Sequence, residues 1–138
     1  MDCPKEQVYR AGERDSEWDW KQILVLDFTE SEDEEDDVVR KLEKCKNARY
    51  LVLDQTKIGP AGILRLLEIW RKKERLNFIS ALDDRYDTDQ SMVDELVKWE
   101  DRFAEELKKN VNIYSLDLIK DEGKQNSILP KIKHELNK

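Results

Sequence analysis

The stretches "LVLDFT", Leu24 to Thr29, and "LVLDQT", Leu51 to Thr56, lie 27 positions apart and differ at a single residue. Each is a short apolar run of branched side chains that ends in aspartate. Such runs are typical of strands in a parallel sheet whose two faces are both covered by helices. The near-copies predict either a structural repeat that builds a binding surface, or two strands whose terminal aspartates carry chemistry.

Helical patterns follow both stretches. After the first, apolar residues recur at Val38, Leu42 and Cys45, which lie on one face of a helix. After the second, a "GPAG" turn precedes an apolar stripe from Ile63 to Trp70. Pro60 suits the first helical turn, where its missing amide hydrogen costs nothing. Strand followed by helix is therefore the predicted unit.

Two further units complete the chain. "LNFISAL", 76–82, predicts a strand, and the stripe from Met92 to Leu107 predicts one helix of roughly 20 residues, with Asp87 or Asp89 as its cap. "VNIYSLDLI", 111–119, predicts the last strand, and a final helix is expected from about Ser127. The fold class is α/β, with four mostly parallel strands alternating with four helices. The expected boundaries are a polar N-terminal segment, 1–20, and a single domain, 21–138.

Composition restricts the function. The net charge is −7, and the segment Glu30–Asp37 contributes seven negative charges, so the rest of the chain is balanced. A chain without a basic body is not expected to bind nucleic acid or an anionic membrane. The sequence shows neither a membrane-spanning run nor a signal peptide, which favours a cytoplasmic, intracellular protein. Cys3 and Cys45 have no spacing typical of a disulfide framework or a zinc site.

Two family resemblances bear on the fold and the function. The piece "LVLDQTKIGPAGILRLL", 51–67, resembles one unit of a ribonuclease-inhibitor-type leucine-rich repeat, whose characteristic positions are occupied here by Leu51, Leu53, Thr56, Ile58 and Gly62. The order of elements from about Val8 also resembles a STAS domain, the sulfate-transporter and anti-sigma-antagonist module. The STAS resemblance implies a phosphorylation-regulated hydroxyl at the partner-binding helix start, where Thr56 is the nearest candidate. Both resemblances imply a non-enzymatic protein-binding module.

Aspartates end the predicted strands. Asp27, Asp54, Asp83 and Asp117 lie at or near strand ends. Since the carboxyl ends of parallel strands share one edge of a sheet, Asp27, Asp54 and Asp83 are candidate ligands for a magnesium ion in phosphoryl transfer or phosphate binding. The competing interpretation is structural, because aspartate side chains accept hydrogen bonds in the turn that follows a strand. No glycine-rich phosphate loop accompanies the aspartates, which favours the structural interpretation.

The acidic segment Glu30–Asp37 is the main candidate partner-binding region. Some of its charges suit a helix start, where "TESE" and "SEDE" each offer a capping box. Seven charges exceed what capping requires, which favours contact with a basic protein surface. The candidate contact residues are Glu30, Glu32, Asp33, Glu34, Glu35, Asp36, Asp37, Lys57, Trp18 and Trp20. The two tryptophans either cap an edge of the core or dock a partner.

The sequence thus favours a non-enzymatic interaction or regulatory module that needs no cofactor and acts through the acidic segment and the strand-to-helix turns. A second hypothesis is that the domain is regulatory and is phosphorylated at Ser31 or Thr56, since Ser31 precedes an acidic run that suits an acid-directed kinase. The alternative is the magnesium-dependent phosphate domain described above. The only histidine, His134, has no nucleophile near it in sequence, so histidine-assisted nucleophilic catalysis is not expected.

Overall fold

The computed structural model of the chain describes residues 7–12, 19–70, 77–109, 113, 115–119 and 130–136. Parallel strands and helices alternate along these residues in one small α/β domain, so the predicted fold class is confirmed. The strands are β1 (Val8–Arg10), β2 (Val25–Asp27), β3 (Tyr50–Val52), β4 (Phe78–Ser80) and β5 (Ser115–Asp117). The helices are α1 (Glu35–Lys44), α2 (Pro60–Trp70), α3 (Arg85–Thr88), α4 (Gln90–Lys98), α5 (Glu100–Lys109) and α6 (Pro130–Leu136).

The strand order follows the chain order, from β1 to β5, and each strand pairs in parallel with the next. The register pairs Leu26 with Leu51, so equivalent positions in β2 and β3 lie 25 residues apart, not the 27 of the sequence similarity. The left-handed residues Glu30 (φ 57°) and Gln55 (φ 56°) show the same offset of 25. Because a shift of two residues keeps each side chain on its face of the sheet, both copies still direct leucines to the core.

In the described strands, one face of the sheet is buried more completely than the other. The central residue of every strand is fully buried, and these residues form one row across the sheet: Tyr9, Leu26, Leu51, Ile79 and Leu116. The residues on either side of this row are half-buried or exposed. The prediction of strands buried on both faces was therefore wrong. Alternate residues of a strand point to opposite faces, and here only every second one reaches the core.

The sequence did not predict β1, which extends the sheet into the segment 1–20. Val8 pairs with Val25, and the fully buried Tyr9 packs its ring 5.3 Å from that of Trp20 and 5.8 Å from that of Phe28. Trp20 is partly buried against the core, so it covers an edge of the packed face. Trp18 lies outside the described residues.

The helix starts differ in part from the predictions. Helix α1 is capped by Glu34, whose amide donates to the carboxylate of Asp37 at 3.2 Å, so neither "TESE" nor "SEDE" forms its cap. Helix α4 is capped by Asp89, as predicted. The expected 20-residue helix is divided at Trp99 into α4 and α5, although the Trp99 amide still donates to Glu95 within 3.2 Å. Pro130 is the first residue of α6, where a proline is tolerated.

Candidate functional site

The strand-end aspartates serve the backbone around them. Asp27 accepts hydrogen bonds from the amide and the hydroxyl of Thr29, at 2.9 and 2.6 Å. Asp54 Oδ1 accepts from the hydroxyl of Ser80 at 2.6 Å and from the amide of Leu82 at 2.9 Å. The Asp54 carboxylate therefore joins the carboxyl ends of β3 and β4.

Asp83 has a different partner, the guanidinium of Arg85. Arg85 Nε donates to both carboxylate oxygens of Asp83 at 3.0 Å, and these hydrogen bonds raise the pKa of Arg85. Its Nη2 also donates to the carbonyl of Thr56 at 2.8 Å, which links the turn before α2 to the turn before α3. Within the described part of the chain, no three His, Cys, Asp or Glu side chains are grouped as a metal site would require.

The acidic segment Glu30–Asp37 is divided between internal ion pairs and solvent. Glu35 and Asp36 both pair with Arg65 on α2, and Asp37 pairs with Arg40. The amide of Glu34 and the guanidinium of Arg40 lower the pKa of Asp37. Two carboxylates that the sequence analysis proposed as partner contacts, Glu35 and Asp36, therefore join α1 to α2 within the domain.

Asp33 holds a half-buried lysine. Lys41 Nζ donates to Asp33 Oδ2 at 2.9 Å and lies 5.2 Å from the ring centre of Tyr9 and 5.8 Å from that of Phe28. Partial burial alone would lower the pKa of Lys41, but hydrogen bonds to Tyr9 and Asp33 outweigh it and raise the pKa to about 12. The Asp33–Lys41 pair thus fastens the acidic segment to the edge of the core.

Two predicted regions meet in one cleft, which we call the acidic cleft. Its volume is about 340 Å³, and it is lined by Glu34 and Glu35 at the start of α1, by residues between Lys57 and Gly62, and by Glu95 on α4. The sequence analysis proposed the first two regions separately as partner-binding residues. It missed Glu95, because Glu95 is distant from both regions in sequence and no motif around it indicates a binding role. Three carboxylates and one lysine therefore surround a single opening.

Gly62 allows the walls of the acidic cleft to approach each other. A Cβ atom at Gly62 would lie 2.5 Å from Glu35 Oε1 and 2.8 Å from Ile58 Cγ2, both closer than van der Waals contact allows. At Gly59 the nearest atom to an added Cβ would be Glu95 Oε2, at 4.0 Å. The glycine at 62 therefore leaves the room that Glu35 and Ile58 occupy, and the glycine at 59 is under no such constraint.

The other predicted site residues lie in varied surroundings. Glu30 and Glu32 are exposed, and Lys57 is exposed beside the cleft. Ser31 is half-buried, and its hydroxyl accepts from the amide of Asp33 at 3.0 Å. Thr56 is 7% exposed, and its hydroxyl donates to the carbonyl of Leu53 at 2.9 Å, so a kinase would reach it only after this turn opens.

Comparison with known proteins bears on the fold of this chain. No protein-family model matches the chain, and no curated protein matches it. A solved structure described as "Leiomodin-1 Actin-Binding Site 2 (ABS2)" is similar, with a TM-score of 0.55 and 15% sequence identity over 85% of this chain. The match spans 66% of the leiomodin chain, slightly under two thirds of its length. This likeness shows a shared fold.

None of the described helices has the length and apolar character that crossing a membrane requires.

Proposed function

We propose that this protein is a non-enzymatic module that binds another protein, and that the acidic cleft receives basic side chains of that partner. The observation that carries the proposal is the convergence of Glu34, Glu35 and Glu95 around one opening of about 340 Å³. Glu35 already pairs with Arg65, and Glu34 takes part in the capping box of α1. An incoming lysine or arginine would therefore face Glu95 and the exposed carboxylate of Glu34. Oppositely charged surfaces steer association and fix orientation more than they add affinity.

The structural relative is consistent with this proposal. Its description names it an actin-binding site, a region that recognises another protein. Actin is therefore the first protein to offer this chain as a partner. The consecutive order of the parallel strands also supports the leucine-rich-repeat resemblance, because stacked repeats place each unit beside the next one in sequence. A kinase acting at Ser31, in the same segment, would add negative charge next to the cleft.

The internal ion pairs determine which variants test the proposal. Neutralising Glu34 to Asp37 together would remove the cap of α1 and its pairs with α2, so loss of binding would not separate contact from unfolding. The sharper variant replaces Glu34 and Glu95 with glutamine, which preserves size. The matched control replaces the exposed Glu30 and Glu32 with glutamine, since it removes the same number of charges but outside the cleft.

The experiment is affinity capture on the immobilised full chain, followed by measurement of the dissociation constant for each captured protein, with purified actin included. The Glu34→Gln/Glu95→Gln variant should bind the partner about fivefold more weakly, the effect of losing two exposed ion pairs. The Glu30→Gln/Glu32→Gln control should bind nearly as well as the wild type. Equal losses in both variants would show that only the overall charge matters, and no loss in the cleft variant would refute the proposal.

A further inference from the structure

The less buried side of the described strands, which we call the outer sheet face, presents an apolar row. The strand register brings Val8, Val25, Tyr50 and Phe78 side by side on four successive strands. Their side chains are half-buried or exposed, while the residues next to them in each strand are fully buried. The row therefore runs across the sheet, at right angles to the strands, on the side away from the core.

Two aromatic rings, on β3 and β4, form one end of this row. The rings of Tyr50 and Phe78 lie 4.9 Å apart at an interplanar angle of 9°, so they are stacked. Phe78 is 37% exposed and is, with Val97 on α4, one of two large apolar side chains that the described residues leave exposed. Exposed aromatic side chains held rigidly by a neighbour are typical of the anchor positions of protein interfaces.

The charges around the row are unequal. Arg10 and Asp27 lie 3.9 Å apart on the same face, so their charges largely compensate. Asp117 at the end of β5 is exposed, and its carboxylate accepts a hydrogen bond from the hydroxyl of Ser115 at 3.5 Å. The half-buried Asp54 adds a second carboxylate at the carboxyl ends of the strands. The outer sheet face is therefore apolar at the starts of the strands and carries carboxylates at their carboxyl ends.

The size of the outer sheet face indicates which kind of partner it can bind. Five strands at a spacing of about 4.8 Å span roughly 19 Å, and two rows of side chains add about 7 Å along the strands. This area is far below the roughly 800 Å² per partner that a stable complex of two folded proteins buries. A second copy of this chain would not be held by such a face. A short linear segment, about six residues when extended, matches its length.

We infer that the outer sheet face docks a short segment of a partner protein that carries aromatic or aliphatic side chains together with lysine or arginine. The apolar side chains of the segment cover the stacked rings of Tyr50 and Phe78, and its basic side chains face Asp54 and Asp117. This surface does not include the acidic cleft, so the inference stands separately from the proposed function.

The test selects peptides from a displayed random library, long enough to span the face, on the immobilised full chain. The selected peptides should combine aromatic or aliphatic residues with lysine or arginine. Their affinity should fall about tenfold for Phe78→Ser, the loss typical of an interface anchor, and by a smaller, salt-dependent factor for Asp117→Asn. The matched controls are Val97→Ser, the other exposed apolar side chain, and Glu105→Gln, an exposed acid on α5.

Amide-resolved NMR with a selected peptide locates the contact and checks that each variant is folded. Shifts at Val25, Tyr50, Phe78 and Asp117, with the controls binding as wild type does, would establish the docking face. The inference would be overturned if no peptide is enriched, if the peptides bind Phe78→Ser as tightly as the wild type, or if their shifts lie at the acidic cleft. Self-association of the wild type that Phe78→Ser abolishes would also overturn it, in favour of a second copy.

Discussion

Replacing Asp54 with alanine tests whether the strand-end aspartates hold the edge of the sheet together. Asp54 Oδ1 accepts from the hydroxyl of Ser80 at 2.6 Å and from the amide of Leu82 at 2.9 Å. Hydrogen bonds to a charged group contribute about 1.5–3 kcal/mol each when buried, and the partial exposure of Asp54 reduces the contribution of the two bonds below the sum of these values. We therefore expect Asp54→Ala to lower the free energy of unfolding by about 2–3 kcal/mol.

The assay is urea denaturation, in which a shift of the midpoint at constant slope reports stability alone. In thermal unfolding the same loss should lower Tm by roughly 6–10 °C for a domain of this size. Asp54→Asn should have a much smaller effect, because the amide oxygen of asparagine can still accept both hydrogen bonds. Asp117→Ala is the matched control, since Asp117 also ends a strand but is exposed, and it should leave the midpoint nearly unchanged.

Two results would refute this reasoning. If Asp54→Ala and Asp117→Ala were equally stable, the hydrogen bonds of Asp54 would not hold the sheet edge. If Mg²⁺ raised the midpoint of the wild type but not that of Asp54→Asn, Asp54 would act as an ion ligand, because a ligand bound only by the folded state raises stability.

The remaining predictions concern packing and charge. Gly62→Ala should destabilise the protein by about 1–2 kcal/mol, because crowding at Glu35 outweighs the better helix propensity of alanine, whereas Gly59→Ala should be close to neutral. The urea midpoints of both variants, and of Gly62→Ala combined with Glu35→Ala, check this; a Gly62→Ala midpoint at or above that of the wild type would contradict it. Lys41 has a pKa raised from 10.5 to about 12, so its stabilisation is fully present below pH 10.5 and is lost as the pH rises through 12. The stability difference between the wild type and Lys41→Met should therefore disappear between those pH values, and a difference that persists above pH 12 would argue that the charge of Lys41 is not involved.

Local sequence patterns predicted most of the elements. The branched run around Leu26 and the stripe of α2 identified their strand and helix because burial repeats with the period of each element. The strand β1 was missed because Val8 and Tyr9 are too few to form a pattern within a polar segment. Paired positions in β2 and β3 lie 25 residues apart, whereas the two similar stretches lie 27 apart. The difference arises because backbone hydrogen bonding, and not residue identity, determines which positions are neighbours.

The candidate site was less predictable than the fold. The charges of Glu35 and Asp36 could be read as free, but their partner Arg65 lies about 30 residues further along the chain, and such distant pairs leave no local signal. Glu95 enters the acidic cleft only because α4 packs beside the start of α2. The open outer sheet face was hidden for a related reason, since half-buried valines such as Val25 and Val52 resemble core residues in sequence.

The most direct test of the acidic cleft as a protein-binding site is an amide-resolved NMR titration of the full chain with a short lysine-rich peptide. The account predicts saturable shifts that appear together at Glu34, Lys57, Gly62 and Glu95, and that weaken as salt is added. Because these residues come from three separate segments, their joint response would locate the peptide in the cleft. Shifts confined to Glu30 and Glu32, or shifts that do not saturate, would contradict the account and leave the acidic segment as a solvated approach to α1.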